Sequence, residues 1–209
     1  LSPFRGVEVD ETNKVAYVKG GSILRNLDEA TIPLGVVTTA GVVSHTGVGG
    51  LATGIGQGRL ARSFGYTIDN VRGVKVLTPD GRHLRADATQ NSDLYWGVRG
   101  GGGNFGIVTE FEIQLYDFDP TVTSISYTFP VSKAADVYKT LFELGEVVPN
   151  AMSLSGGVRT SGSGETTCSL GGNYAGPMAE AQKILDPYIK KLGDPLRTRM
   201  NEVDYLWLQ

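Results

Sequence analysis

The sequence predicts an α+β protein in which antiparallel sheets are covered by helices. Three observations carry that expectation. Apolar and polar residues alternate in paired runs separated by short polar turns, the pattern of β-hairpins. Segments with helical spacing interrupt these runs without the strict strand–helix–strand order of a parallel sheet. The chain has 209 residues, 40% apolar and 20% charged, long enough and apolar enough to bury a substantial core.

Each element follows from local chemistry. In "RGVEVDETNKVAYVKGG", Val7 and Val9, then Val15 and Tyr17, alternate around a polar turn at 10–13, which reads as a hairpin. "GSILRNLDEATI" places Ser22 to cap a short helix with an apolar stripe of Ile23, Leu24, Leu27 and Ala30. A glycine-dense stretch occupies 41–65. "VRGVKVLTPDGRHLRA" is the clearest hairpin, with Val74, Val76 and Leu84 flanking a Pro79-Asp80-Gly81 turn. "GIVTEFEIQLY" alternates Ile107, Thr109, Phe111, Ile113 and Leu115, as a half-buried strand does.

Near "DFDP" the character changes, and a domain boundary is expected there, dividing 1–118 from 119–209. Beyond it come a strand in "TSISYTF", a helix over about 132–147, two short strands around "SGSG", and a helix in "MAEAQKILDPYIKKLG". In that last helix Gly193 is the stop, and Pro187 is expected to kink or split it. This order fits an antiparallel sheet with helices packed on one side.

Composition narrows the function. The net charge of −3, with no clustered Lys/Arg stripe, argues against a nucleic-acid partner. No apolar run reaches the roughly 18 residues a membrane span needs. One cysteine, Cys168, excludes an internal disulfide and a cysteine-built metal site, and leaves the cellular compartment open. The two histidines, His45 and His83, lack a metal-ligand neighbour at i+4, so no metal site is assigned. No G-x-S-x-G elbow is present, and no catalytic residue is assigned. The first residues, "LSPFRGVEVD", and the apolar ending "DYLWLQ" lead to the expectation that both ends are cut from a longer protein.

Glycine is the outlier: 29 of 209 residues, about twice the usual share of roughly 7%. Four stand together in "RGGGGNFGIVT", before a strand. In "AGVVSHTGVGGLATGIGQGRLARSFGYTIDN" they mix with Val, Leu and Ile, which favours a packed loop over a solvated linker. Bare amides around a concavity suit anionic oxygens, and the missing Cβ admits a phosphate. No G-K-[ST] follows, so this is not a P-loop. Residues 47–52 satisfy G-x-G-x-x-[GA], with Asp69 downstream, the fingerprint of a nicotinamide-binding Rossmann unit. Its context fails: Gly54, Gly56 and Gly58 interrupt the helix that should follow, each at a cost of roughly 0.8–1 kcal/mol.

The motifs T-G-V-G-G-L (46–51), the pair Gly54 and Gly56, G-Y-T-I-D-N (65–70), D-L-Y-W-G-V-R-G-G-G (93–102) and N-F-G-I-V-T (104–109) together resemble the FAD-linked oxidases of the vanillyl-alcohol oxidase type, most of all the berberine-bridge-enzyme-like branch. They occur in family order and spacing across about 5–118, and "DYLWLQ" is similar to a segment of the substrate domain. The resemblance implies the second lobe of a PCMH-type FAD-binding domain, followed by part of an antiparallel-sheet substrate domain. It implies FAD as cofactor, held by Thr46, Gly47, Val48, Gly49 and Gly50, by Gly54, Ile55 and Gly56, with Asn70 as a buttress, and by Gly106, Ile107 and Val108 near the adenine and ribose. The run 100–103 would let the chain turn tightly into the following strand.

The resemblance also implies gaps. The covalent flavin-bearing histidine of the family would precede Leu1, and neither His45 nor His83 takes its place. The family's second covalent link would fall near Val43, which forbids the bicovalent type. The catalytic base would lie beyond Gln209. The chemistry implied is hydride transfer from a small organic substrate to flavin, with O2 as the usual acceptor. Two further readings stay open: a truncated, non-catalytic derivative that folds without flavin, and the nicotinamide enzyme. Missing halves would be supplied by a second chain or by self-association.

Overall fold

The computed structural model describes residues 3–209, which divide into two compact units, one up to Pro120 together with Gln209 and the other Thr121–Leu208. In the first unit the chain runs β1 (Val7–Asp10), β2 (Val15–Lys19), α1 (Leu24–Thr31), β3 (Val36–Val37), α2 (Val48–Gly54), α3 (Ala61–Phe64), β4 (Val71–Leu77), β5 (His83–Asp87), α4 (Ser92–Gly101), β6 (Ile107–Gln114) and β7 (Tyr116–Asp117). Five of these strands form one sheet in the order β1-β2-β6-β4-β5, and every pairing is antiparallel. Among the described residues no parallel β-α-β unit exists, which removes the Rossmann reading.

One sheet face packs on α1, α2 and α4. Val18, Phe111, Ile113, Val74 and Val76 meet Leu24, Leu27, Val48, Ala52 and Val98 in one buried cluster. The other face is polar yet closed. Glu110 accepts from Lys19 and Lys75, the latter at 2.7 Å, and Arg85 grips Glu112 with two bonds of 2.8 Å. Burial opposes the ionisation of Glu110, but the two ammonium groups outweigh it and hold its carboxyl below the usual range.

Four local expectations are corrected. Ser22 does not cap α1; its hydroxyl is buried, donating to Gly6 O and accepting from Gly6 N–H, both at 3.1 Å. The helix begins at Leu24, and Asn26 Oδ1 accepts the N–H of Ile23 at 3.1 Å. Its buried stripe is Leu24, Leu27, Asp28 and Thr31 rather than one ending on Ala30. In β6 the alternation breaks, because Lys75 pairs with Glu110 while Val76 pairs with Val108. Thr109 is the extra residue of a β-bulge, which reverses the strand's faces: Val108 turns inward and Ile107 is 48% exposed. The glycine-dense stretch is not all loop, since Val48–Gly54 forms the short helix α2 before Ile55 and Gly56 end it.

The second unit runs β8 (Thr121–Pro130), α5 (Ala134–Val147), β9 (Met152–Thr160), β10 (Thr166–Tyr174), α6 (Met178–Leu192), β11 (Arg197–Asp204) and α7 (Tyr205–Leu208). Its antiparallel sheet has the order β11-β8-β10-β9, the ferredoxin-like arrangement of a β-α-β-β-α-β chain. Both long helices cover one face, where Ile125, Tyr127, Phe129, Val137, Leu144, Met152, Leu170, Leu185 and Ile189 are buried. Cys168 lies in this core, and burial pushes its thiol up, away from reactivity. The opposite face is hydroxyl-rich: the registers bring Ser124, Ser126 and Thr128 of β8 beside Asn173 and Ser169 of β10, then Ser153 and Ser155 of β9, with Asn201, Arg199 and Arg197 of β11 on the other flank.

Two differences from expectation stand out here. Pro187 leaves α6 a single helix, because it is exposed and water can take the carbonyl that its missing N–H leaves unpaired. Strand β11 is unforeseen, since an edge strand exposed along most of its length shows no apolar alternation.

The buried carboxyl of Asp28 gives a pH test of the first unit. Desolvation pushes it up to about 7, against a weaker opposing hydrogen bond with Gln209 and reinforced by Glu29. The folded protein therefore keeps a proton that the unfolded chain loses near pH 4, so stability falls as pH rises from about 4 to 7. The ionised carboxylate costs on the order of 4 kcal/mol above that window. Asp28→Asn should raise the melting temperature at pH 8 and change it much less at pH 4.5; an equal shift at both pH values would contradict this origin.

Candidate functional site

The end of β2 brings the two glycine clusters together. Gly20 donates to Thr109 O at 2.8 Å, which ties it to the bulge of β6. Two residues on, Ser22 O accepts the N–H of Val48, and Leu24 donates to Thr46 O, both at 2.9 Å. Segment 20–24 thus clamps 46–48 on one side and β6 on the other. Between them opens a cavity of about 420 Å³, within the range of small-molecule sites. Gly20, Gly47, Gly49, Gly50, Thr53, Gly102, Gly103, Gly106, Ile107 and Val108 line it.

The glycines of this wall are of two kinds. At some, the protein's own backbone forbids a side chain: a Cβ on Gly20 would collide with Val108 O, and one on Gly106 with Leu77 O. At Gly47, Gly50 and Gly103 a Cβ would meet no protein atom within 4 Å and would project into open space. Nothing in the chain's packing requires glycine there, and Gly47 has an ordinary φ of −69°. A ligand lying against bare backbone does require it. The amides of Gly49 and Gly50 add donors. Both belong to the first turn of α2, where no intrahelical partner exists, whereas Val48 is already bound to Ser22 O and Leu51 to Gly47 O.

The second cluster closes the wall by bending sharply. Helix α4 loses its geometry at Arg99 and Gly100, and Gly100, Gly102 and Gly106 take φ of +108°, +61° and +140°, reserved in practice for glycine. Arg99 fastens this bend, donating to Ile68 O at 3.1 Å while its guanidinium lies 4.9 Å from the Tyr95 ring centre. Tyr95 in turn donates to Val71 O at 2.6 Å.

Of the expected cofactor residues, the cavity gathers Gly47, Gly49, Gly50, Gly106, Ile107 and Val108. The others stand behind or away from it. Thr46 spends its N–H on Val43 O and its carbonyl on Leu24, and Val48 is fully buried in the core. Gly54, the last residue of α2, and Ile55, just after it, are exposed. Gly56, with φ of +71°, is packed against Thr67. Asn70 staples a loop, donating to Phe64 O at 3.0 Å and Tyr66 O at 2.8 Å and accepting from the Tyr116 hydroxyl at 2.8 Å. Sequence reasoning missed Gly20 and Thr53 as wall residues; the doublet "KGG" after an alternating strand was the available signal for the first. His45 is exposed, and His83 Nε2 sits 2.8 Å from Thr109 Oγ1.

Bare backbone, a first-turn amide pair and an aliphatic edge at Ile107 and Val108 suit a ligand with an anionic centre and flat apolar ends. The residues fit a flavin dinucleotide. Among the described residues that line it, none carries a titratable side chain.

Comparison with known proteins agrees. The family model described as an FAD binding domain matches residues 1–87. An FAD-linked oxidoreductase of Dictyostelium discoideum is 30% identical over 213 residues, covering 100% of this chain and 45% of that protein. A glucooligosaccharide oxidase of Sarocladium strictum is 32% identical over 195 residues, covering 90% and 37%. The solved structure of a chitooligosaccharide oxidase superposes with a TM-score of 0.87 at 28% identity, over 100% of this chain and 44% of that one. The chain thus spans less than half the length of these relatives.

Gly50 separates ligand exclusion from misfolding. Gly50→Val should cut FAD uptake at least tenfold while the far-UV circular dichroism and melting temperature stay near wild type; full uptake by a folded Gly50→Val protein would contradict the cradle. Gly49 is a poorer probe, because its Cβ would already press on Gly20 O at 3.0 Å.

Proposed function

The chain belongs to the FAD-linked oxidases of the vanillyl-alcohol oxidase and berberine-bridge-enzyme-like type, and from that premise we propose that its first unit is one wall of an FAD site in an oxidase that takes a hydride from an organic substrate and passes the electrons to O2. The observation that carries this reading is the cavity where both glycine clusters meet and where glycines 47, 50 and 103 leave bare backbone that a ligand could lie against. Bound flavin supplies the two-electron redox chemistry. The chain's own part is to hold the cofactor against bare amides and to offer it the aliphatic edge at Ile107 and Val108.

For the substrate we propose a polyhydroxylated molecule, an oligosaccharide. Two of the relatives act on oligosaccharides by name. The open sheet face of the second unit supports the same class: its small hydroxyl and amide side chains and the arginines of β11 offer donors and acceptors, with no broad aromatic surface for a planar substrate. The non-catalytic reading is kept as the alternative outcome.

Absorbance of the purified protein after addition of FAD and gel filtration tests the cofactor. The protein should elute yellow, bleach anaerobically with a cello- or chito-oligosaccharide, and recolour in air. A folded protein that elutes colourless would support the derivative that has lost its flavin, and a yellow protein bleached only by an aromatic alcohol would overturn the substrate class.

A further inference from the structure

Thr53 is the lining residue, among those described, with a polar side chain, in a cavity otherwise walled by seven glycines and two aliphatic residues. It sits one turn beyond Gly49 on α2, and its hydroxyl donates to Gly49 O at 2.9 Å. That bond uses the only hydrogen the hydroxyl has, so what remains toward the cavity is acceptor capacity. Opposite it lies the second cluster: a Cβ built on Gly102 would come within 3.9 Å of Thr53 Oγ1. The hydroxyl therefore marks the point where both glycine clusters meet.

We propose that Thr53 is a cofactor-positioning residue, its Oγ1 accepting a hydrogen bond from a hydroxyl or amine of the bound dinucleotide and so setting where the ligand lies along the wall. This rests on the FAD reading above. The chemistry divides the wall in two. Phosphate oxygens at neutral pH carry no hydrogen to give and are repelled by an acceptor, so the diphosphate lies along the wall away from Thr53. The sugar hydroxyls, the adenine amine and the flavin imide N–H are the donors that Thr53 can satisfy. A valine at this position keeps the shape and loses the acceptor; a serine keeps the acceptor.

The test is fluorescence titration of the whole chain with FAD, comparing wild type, Thr53→Ser and Thr53→Val, with inorganic pyrophosphate as competitor. Thr53→Val should weaken FAD binding about fivefold, in line with the loss of one neutral hydrogen bond. Thr53→Ser should stay within about twofold of wild type, and pyrophosphate should compete with the same inhibition constant in all three proteins. The proposal falls if Thr53→Val binds FAD as wild type does, if Thr53→Ser is as weak as Thr53→Val, or if pyrophosphate fails to compete or loses affinity in step with FAD. Wild-type protein that binds no FAD overturns the FAD reading and this proposal together, whereas normal binding by wild type and Thr53→Val alike overturns this proposal alone.

Discussion

The approach of Gly20 to the backbone of β6 is the constraint on which the first unit turns. Its N–H reaches Thr109 O, its α-carbon faces Val108 O with no room for a methyl group, and its own carbonyl abuts Gly49. Three segments distant in sequence, at 20, 49 and 108, are packed backbone to backbone there. Such packing excludes side chains on the inner side and so determines what can stand on the outer side. With it, the two glycine clusters become facing walls of one cavity.

The distinction between glycines that the fold requires and glycines that it does not require is what turns this geometry into function. Gly20, Gly56 and Gly106 are explained by collisions or by positive φ within the protein. Gly47, Gly50 and Gly103 are explained by neither, and each weakens the folded state relative to alanine through its entropy in the unfolded chain. On the proposed reading, a cofactor laid against this bare backbone accounts for glycines that the packing does not require. The absence of titrating groups from the wall fits the same logic, because a redox cofactor carries the reaction and asks the protein for position and shielding.

Much of this was readable before the structure. The hairpins at 7–19 and 71–87 show in alternation and turn chemistry, and the long helices show in their spacing. What was hidden depends on tertiary pairing. The bulge at Thr109 reverses a strand whose apolar pattern reads as continuous, so Ile107 and Val108 exchange faces. Ser22 has the chemistry of a helix cap but spends it on Gly6, which only a folded N-terminal segment brings near. Strand β11 carries the polar residues of an edge and gives no periodic signal. In the site, motif order points to the two clusters, but not to which of their glycines face the cavity: Gly54 and Gly56 belong to the same glycine-dense stretch as Gly50, yet one is exposed at the end of α2 and the other is folded against Thr67. Thr53 looks like an ordinary helix residue until Gly102 is placed across from it.

Amide chemical-shift mapping of the isotopically labelled chain during FAD addition addresses the convergence of the two clusters most directly. Saturable shifts should appear at Gly47, Gly49, Gly50, Gly102 and Gly103, while Gly58 and Gly172, packed against the carbonyls of Ala40 and Ser153, stay still. Shifts confined to one cluster, or none at either while FAD binds elsewhere, would contradict the account.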